Sequence, residues 1–403
     1  MDTTLYAGAA ETDITPEPGL PLDGYTARQG VSAGAHDPLL AQVLVLRSSG
    51  KQAAIVALDT LAVSAAFARP LRAQLASLLA TSPDAILISA SHTHCGPAGL
   101  QNWFPPGSAP AVNPQLAAMI TQRVTAATRH ALSRLEPARL SAGSGPVAGV
   151  GGDRNRCDRA ITTPVSALRF DRRSGEPLAA VLHYACHPTV LGPQTLAYSA
   201  DFVAAARRRW QAACPGSVCL YLNGAAGDIS TRCFRREQSF AEAERVGALL
   251  AQRALGLAAA PAGAELSWDT ATVELPLRAL DDRAEPVTPA AGAGRLAQVQ
   301  AEGAAIAAQL AAAFRGQSAI RAEVTALRVG GWALLAVPGE PFSALAAQMQ
   351  AAAAQALVIG YANDYLGYFP TQQAVDGRTY EALSSPYDAR ALRLLQAALA
   401  RLL

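Results

Sequence analysis

Apolar runs of strand length recur along this chain, and helical patterns fill the intervals between them. The runs are AQVLVLRS (Ala41 to Ser48), AAIVALDT (Ala53 to Thr60), AILISAS (Ala85 to Ser91), AAVLHYAC (Ala179 to Cys186) and VCLYLNG (Val218 to Gly224). Several carry almost no polar residue on either alternate face, which is the pattern of strands covered on both sides. Between them lie segments such as the one opened by Asn113 and Pro114 and running toward Leu135, where an N-cap precedes a proline at the first helical position. Strands and helices mixed throughout predict an α/β fold with a mixed β-sheet core flanked by helices. Ala326 to Glu340 reads as a hairpin turning at Gly330 and Gly331. From about Leu257 to Ala293, Ala, Pro and Gly accumulate around one candidate strand, WDTATVEL, so this stretch is expected to be a lobe or linker within a single domain over 1–403. Arg295 to Phe314 is expected to be a helix covering a face of the core.

Composition narrows the partners. The 403 residues are 51% hydrophobic, enough to bury a large core, and the formal charge is only +2. The 33 Lys plus Arg residues are scattered and give no reason to expect nucleic acid or an anionic membrane surface. Every long Ala-rich segment is broken by Arg, Glu or Gln before it reaches membrane-spanning length, and the start, MDTTLYAGAAETDITP, lacks the pattern of an export signal. The expectation is a soluble cytoplasmic protein acting on a small molecule; composition does not address its oligomeric state. The six cysteines show no CxxC pairing, so neither a disulfide framework nor a cysteine zinc site is expected, and the nearest pair is Cys214 and Cys219.

Polar residues collect where the apolar runs end. His92 and His94 follow ILISAS; His183 and His187 lie in LHYACHPT; Asp228 and Ser230 follow LYLNGAAG; Glu340 follows WALLAVPG; Tyr365 and Tyr368 lie in YANDYLGYFP. Strand ends are where ligand crevices form in α/β sheets, so these groups are candidates for one shared site. Two imidazoles and a carboxylate suit zinc at about 2.0–2.2 Å with one position left to water, and His92, His187 and Glu340 supply that set. Each residue alone also has a plain structural reading. Glu340 suits the first turn of a helix, Asp228 an Asx turn, His183 a core histidine, and Asp201 the cap of the following helix.

The motifs AGAAETDITP, SHTHCGPAG, HYACHPT, SADF, NGAAGDIS, VPGE, NDYLGY and RTYEALSSPY, in this order along almost the whole chain, resemble the catalytic domain of the neutral ceramidases. These are zinc-dependent non-lysosomal amidases that cut N-acylsphingosine. The resemblance implies one zinc ion per chain, with His92, His187, Glu340 and the phenol of Tyr368 as ligands. It implies His94 as a proton-handling or orienting group beside the metal, Tyr380 near the scissile carbonyl, Ser230 as essential to turnover, and Arg154 or Arg156 in the site. Asp228 joins the candidate catalytic set through the same GDIS segment.

The chain departs from the family pattern where GDVSPN becomes GDISTR, which places Thr231 and Arg232 beside the serine. An additional immunoglobulin-like domain and an export signal, usual in the family, are not seen. Arg232 suits an anionic group, which guanidinium binds bidentately. The expected activity is therefore zinc-dependent hydrolysis of an N-acyl amide in a soluble small molecule. The alternatives are a serine-dependent acyltransferase or esterase on the same fold, and a non-catalytic binding protein.

Overall fold

The computed structural model describes residues 4–101, 112–158, 161, 163–279 and 295–403. The expected strands form. The larger sheet runs Val218–Asn223, Pro177–Tyr184, Pro164–Arg172, Glu136–Pro146, Tyr6–Asp13, Leu40–Ser48, Lys51–Leu58, Ile86–Ala90, with Ala260–Pro261 paired to the side of Glu136–Pro146. It is mixed: Val218–Asn223 runs parallel to Pro177–Tyr184, and Lys51–Leu58 parallel to Ile86–Ala90, whereas the strands between them pair antiparallel.

A second sheet, ordered Leu266–Pro276, Ala319–Val329, Trp332–Ala336, Ala356–Ile359, packs on the first. The strand expected inside an Ala/Pro/Gly-rich lobe is thus the edge strand of this sheet, in register with Ala319–Val329 along its whole length. The remainder of that stretch, 280–294, lies outside the described residues. Gly330 and Gly331, at φ 55° and 85°, make the two-residue turn to Trp332–Ala336; only glycine takes both angles without strain.

Alternation along the strands builds the layers. Leu44, Ile55, Leu87, Val181 and Leu220 face Leu327, Leu334, Leu357 and Ile359 of the second sheet. Val43, Val45, Val56 and Ile88 face the helices Ala65–Leu78 and Pro114–Ser133. Leu182 and Tyr221 face Phe202–Ala213 and Phe240–Leu255, and Val324 and Leu335 face Ser343–Ala352 and Ala389–Leu402. Helices therefore cover both outer faces of a two-sheet sandwich, and each buried Leu, Ile or Val contributes about 1.5–3 kcal/mol. The Asn113 side chain accepts from the amides of Gln115 and Leu116, capping its helix as expected. Among the described residues no helix is long and apolar enough to cross a membrane.

The cysteine reading needs correction. Cys157 and Cys233 form a disulfide, whereas Cys214 and Cys219 are free. Sequence spacing hid this pair because 76 positions separate it. The antiparallel pairing of Gly152–Asp153 with Ile229–Ser230 brings the two segments side by side.

Candidate active site

The parallel pairs point the C-terminal ends of Ile86–Ala90, Pro177–Tyr184, Val218–Asn223, Trp332–Ala336 and Ala356–Ile359 into one region, and a cavity of about 460 Å³ lies there. It is lined by His92, His94, His187, Glu340, Tyr368, Tyr380, Arg154, Ser230 and Arg232. Of the candidate site residues, Asp228, His183 and Arg156 are absent from this lining. Asp228 sits in the turn before Ile229–Ser230, and its carboxylate accepts from the amide and hydroxyl of Ser343, both at 2.7 Å. The catalytic reading of Asp228 gives way to the structural one, a carboxylate anchoring the start of the helix Ser343–Ala352.

Each histidine is held by one nitrogen. His92 follows the strand Ile86–Ala90 in left-handed backbone, φ 68°, an uncommon conformation for a residue with a side chain. Its Nδ1 donates to the Leu61 carbonyl at 2.8 Å, and its ring stacks on Tyr361 at 3.9 Å. His187 Nδ1 faces the carbonyls of Ala226 and Ile229 at 2.8 and 3.0 Å. With Nδ1 tied to carbonyl oxygen, Nε2 of each ring carries the lone pair. Both Nε2 atoms point at Glu340 Oε2, 3.5 Å from His92 and 3.0 Å from His187.

Burial is the main cause that pushes His92 down to about 3 and His187 well below the ordinary imidazole value, so both rings are neutral. The His92 Nε2 lone pair, which has no hydrogen-bond partner, is repelled by the buried carboxylate unless a cation lies between them. His94 adds a third imidazole whose ligand atom lies within 4.8 Å of the others, and neither of its nitrogens has a hydrogen-bond partner. These donors fit a metal ion.

Of the groups that hold this set in place, sequence reasoning collected Tyr365 and Arg154 as site candidates but missed Tyr361 and Glu381. Tyr365 donates to Glu340 Oε1 at 2.5 Å and Tyr361 to Oε2 at 3.4 Å. Glu381, the residue after Tyr380, forms a buried ion pair with Arg154 at 2.5 Å. Burial, the largest single influence, raises the Glu381 carboxyl, but Arg154 together with hydrogen bonds from Thr379 and Asn155 holds the pKa below the ordinary value. Arg154 in turn reaches His187 Nε2 at 3.2 Å and lies over the Tyr368 ring, 5.3 Å from its centroid. Of the two candidate arginines, Arg154 lines this cavity, whereas Arg156 is exposed and paired with Asp158. The signal for Glu381 was available: an acid adjoining a candidate site tyrosine, in a chain whose candidate site also holds an arginine. Gly24 also went unread. A Cβ there would stand 2.6 Å from the His94 ring, so glycine is what lets this loop close over the histidine.

The sequence profile described as "Neutral/alkaline non-lysosomal ceramidase, N-terminal" matches residues 6–232, more than half of the chain. The chain belongs to this family. Two solved structures are similar to it over its full length. One is the neutral ceramidase from Pseudomonas aeruginosa, with a TM-score of 0.81, 19% identity and 74% of that chain covered. The other, a ceramidase complexed with C2, gives a TM-score of 0.79, 18% identity and 75% of that chain covered. At these identities the likeness shows the ceramidase fold. No curated protein matches the chain in sequence. Family membership supports hydrolase activity of the ceramidase type, and the cavity at the strand ends is where the ceramidase-like motifs converge.

Proposed function

We propose that this chain hydrolyses the amide bond of an N-acyl compound with the help of one zinc ion held by His92, His187, Glu340 and Tyr368. The observation that carries the reading is the convergence of two neutral imidazole lone pairs on one buried carboxylate. Zinc suits two nitrogens and two oxygens. Bound there, it would polarise the scissile carbonyl and lower the pKa of a water toward about 7.

The chain's own residues supply the rest. Tyr361 and Tyr365 fix Glu340, and the carbonyls of Leu61, Ala226 and Ile229 fix the tautomers of the two imidazoles. Tyr380 donates to the oxygen that gains charge as the carbonyl carbon becomes tetrahedral. His94, neutral and unpartnered, takes a proton from the attacking water and passes it to the leaving nitrogen. Ser230 lies on the wall beside His187, and its hydroxyl accepts from the Arg232 amide at 3.3 Å. The ring nitrogens of His92, His94 and His187 have other partners or none, so no base is bonded to the serine. This favours an orienting role for Ser230 over a serine-nucleophile mechanism.

At the mouth, the exposed Arg232 and its neighbour Arg235 line the cavity. Two guanidinium groups there favour a soluble substrate with an anionic group over an uncharged membrane lipid. The test is metal analysis of the purified chain, followed by turnover of short N-acyl amino acids in competition with ceramide in detergent. One equivalent of zinc and a preference for the acidic substrates, weakened in Arg232→Ala, are expected. A chain that takes up no transition metal when zinc is supplied would overturn the metal reading. Faster ceramide turnover, unchanged in Arg232→Ala, would overturn the substrate reading alone.

A further inference from the structure

A second cavity, of about 670 Å³, adjoins the first; Asn155 and Tyr380 line both. Its polar lining differs in kind. His183 projects between the two sheets, 3% exposed, and its Nε2 donates to the Val358 carbonyl at 2.9 Å. Its Nδ1 is therefore an acceptor, and it has no hydrogen-bond partner. Two nearly buried carboxylates, Asp153 and Asp228, share the lining. Arg156, the arginine on this lining, pairs with Asp158. Ala185, Ala225, Phe342, Ala344 and Ala374 supply apolar surface, and the neutral polar side chains of Thr163, Gln350, Thr371 and Gln373 complete the walls.

A buried acceptor without a donor, sharing one cavity with two carboxylates and a patch of alanine and phenylalanine surface, is short of one thing: a cationic N–H donor with a hydrocarbon body. We propose that this cavity is a binding site for a protonated primary amine carrying an alkyl segment. The ammonium donates to His183 Nδ1 and offsets the charge of Asp153 and Asp228, and the alkyl part lies on the alanines and Phe342. The raised Asp228 carboxyl, brought to about 6 chiefly by burial, agrees with a carboxylate that lacks a cationic partner in the chain itself. Amines are also what amide hydrolysis releases, but the proposal concerns binding and stands whether or not the chain cleaves amides.

The test is calorimetric titration of the full-length chain with n-hexylamine at neutral pH, with n-hexanol and hexanoate as matched probes. One equivalent of amine is expected to bind, with hexanol weaker by about tenfold or more and hexanoate silent. Ala344→Phe, which fills the cavity, should weaken the amine by about tenfold or more. Asp228→Asn, close to isosteric and safe if the first variant fails to fold, should weaken the amine and leave hexanol unchanged. His92→Ala, which disables the metal cavity, should leave amine binding intact. Amine binding that survives both Ala344→Phe and Asp228→Asn, or that vanishes in His92→Ala, overturns the proposal, as does a wild-type chain that binds no amine at millimolar concentration.

Discussion

His183 and His187 leave the same stretch of chain four residues apart, yet they are fixed in opposite senses. His187 ties its Nδ1 to carbonyl oxygens and turns Nε2 toward Glu340; His183 ties its Nε2 to Val358 and leaves Nδ1 open. Both rings are buried and neutral, pushed below the ordinary imidazole value foremost by burial. The difference lies in which nitrogen the backbone claims. In the first cavity the remaining lone pairs converge with a carboxylate and make a place for a metal ion. In the second a single lone pair beside two carboxylates makes a place for an N–H donor. Carbonyl placement, set by where each strand ends, decides which chemistry a histidine presents.

The most decisive way to break this comparison is to remove each ring in turn. His187→Ala is expected to lose bound metal and at least about 10³-fold in kcat/KM. His183→Ala should keep the metal, the change appearing as lost stability. Equal metal loss in both variants would erase the distinction. A smaller effect tests the frame around the first cavity. Glu381→Gln leaves the Arg154 guanidinium buried without its carboxylate, and about 3 kcal/mol of stability should go, read by urea denaturation. A loss below about 1 kcal/mol would show that the pair is not buried as described.

An effect of similar size, confined to higher pH, sharpens the second cavity. Asp228 has its carboxyl raised from 3.8 to about 6, so the folded chain holds that proton more tightly than the unfolded chain does. Its contribution to stability is complete below about pH 4 and is lost as pH rises through about 6. Asp228→Asn should therefore gain about 3 kcal/mol on wild type at pH 7 and nothing at pH 3. Parallel stability curves for the two proteins across this range would refute the assignment.

The sheet strands were legible because long apolar runs admit few other structures, and the site's metal-binding candidates were legible because polar groups at the ends of such runs stand out. Asp228 was legible as a turn-former, but its partner was not, because Ser343 lies 115 positions away. A turn at Gly227 and Asp228 sends the carboxylate to Ser343, and the extended backbone begins only at Ile229. The strand WDTATVEL was legible as a strand but not as a sheet edge, since its partner, Ala319–Val329, lies far along the chain. Tyr361 and Tyr365 escaped as supports for Glu340 because their roles depend on left-handed backbone at Tyr361 and Asn363, which composition does not announce. The ion pair of Arg154 with Glu381 and the disulfide joined residues too distant in sequence for spacing to show.

The Cys157–Cys233 bond closes a covalent ring of chain. That ring contains His187 and Ser230, and Arg154 stands just outside one of its ends. A protease that cuts the backbone once anywhere inside this interval leaves a single covalent molecule, with the cut ends still tied beside the cavity. Reduction of the disulfide after such a cut would leave two pieces with no covalent bond between them.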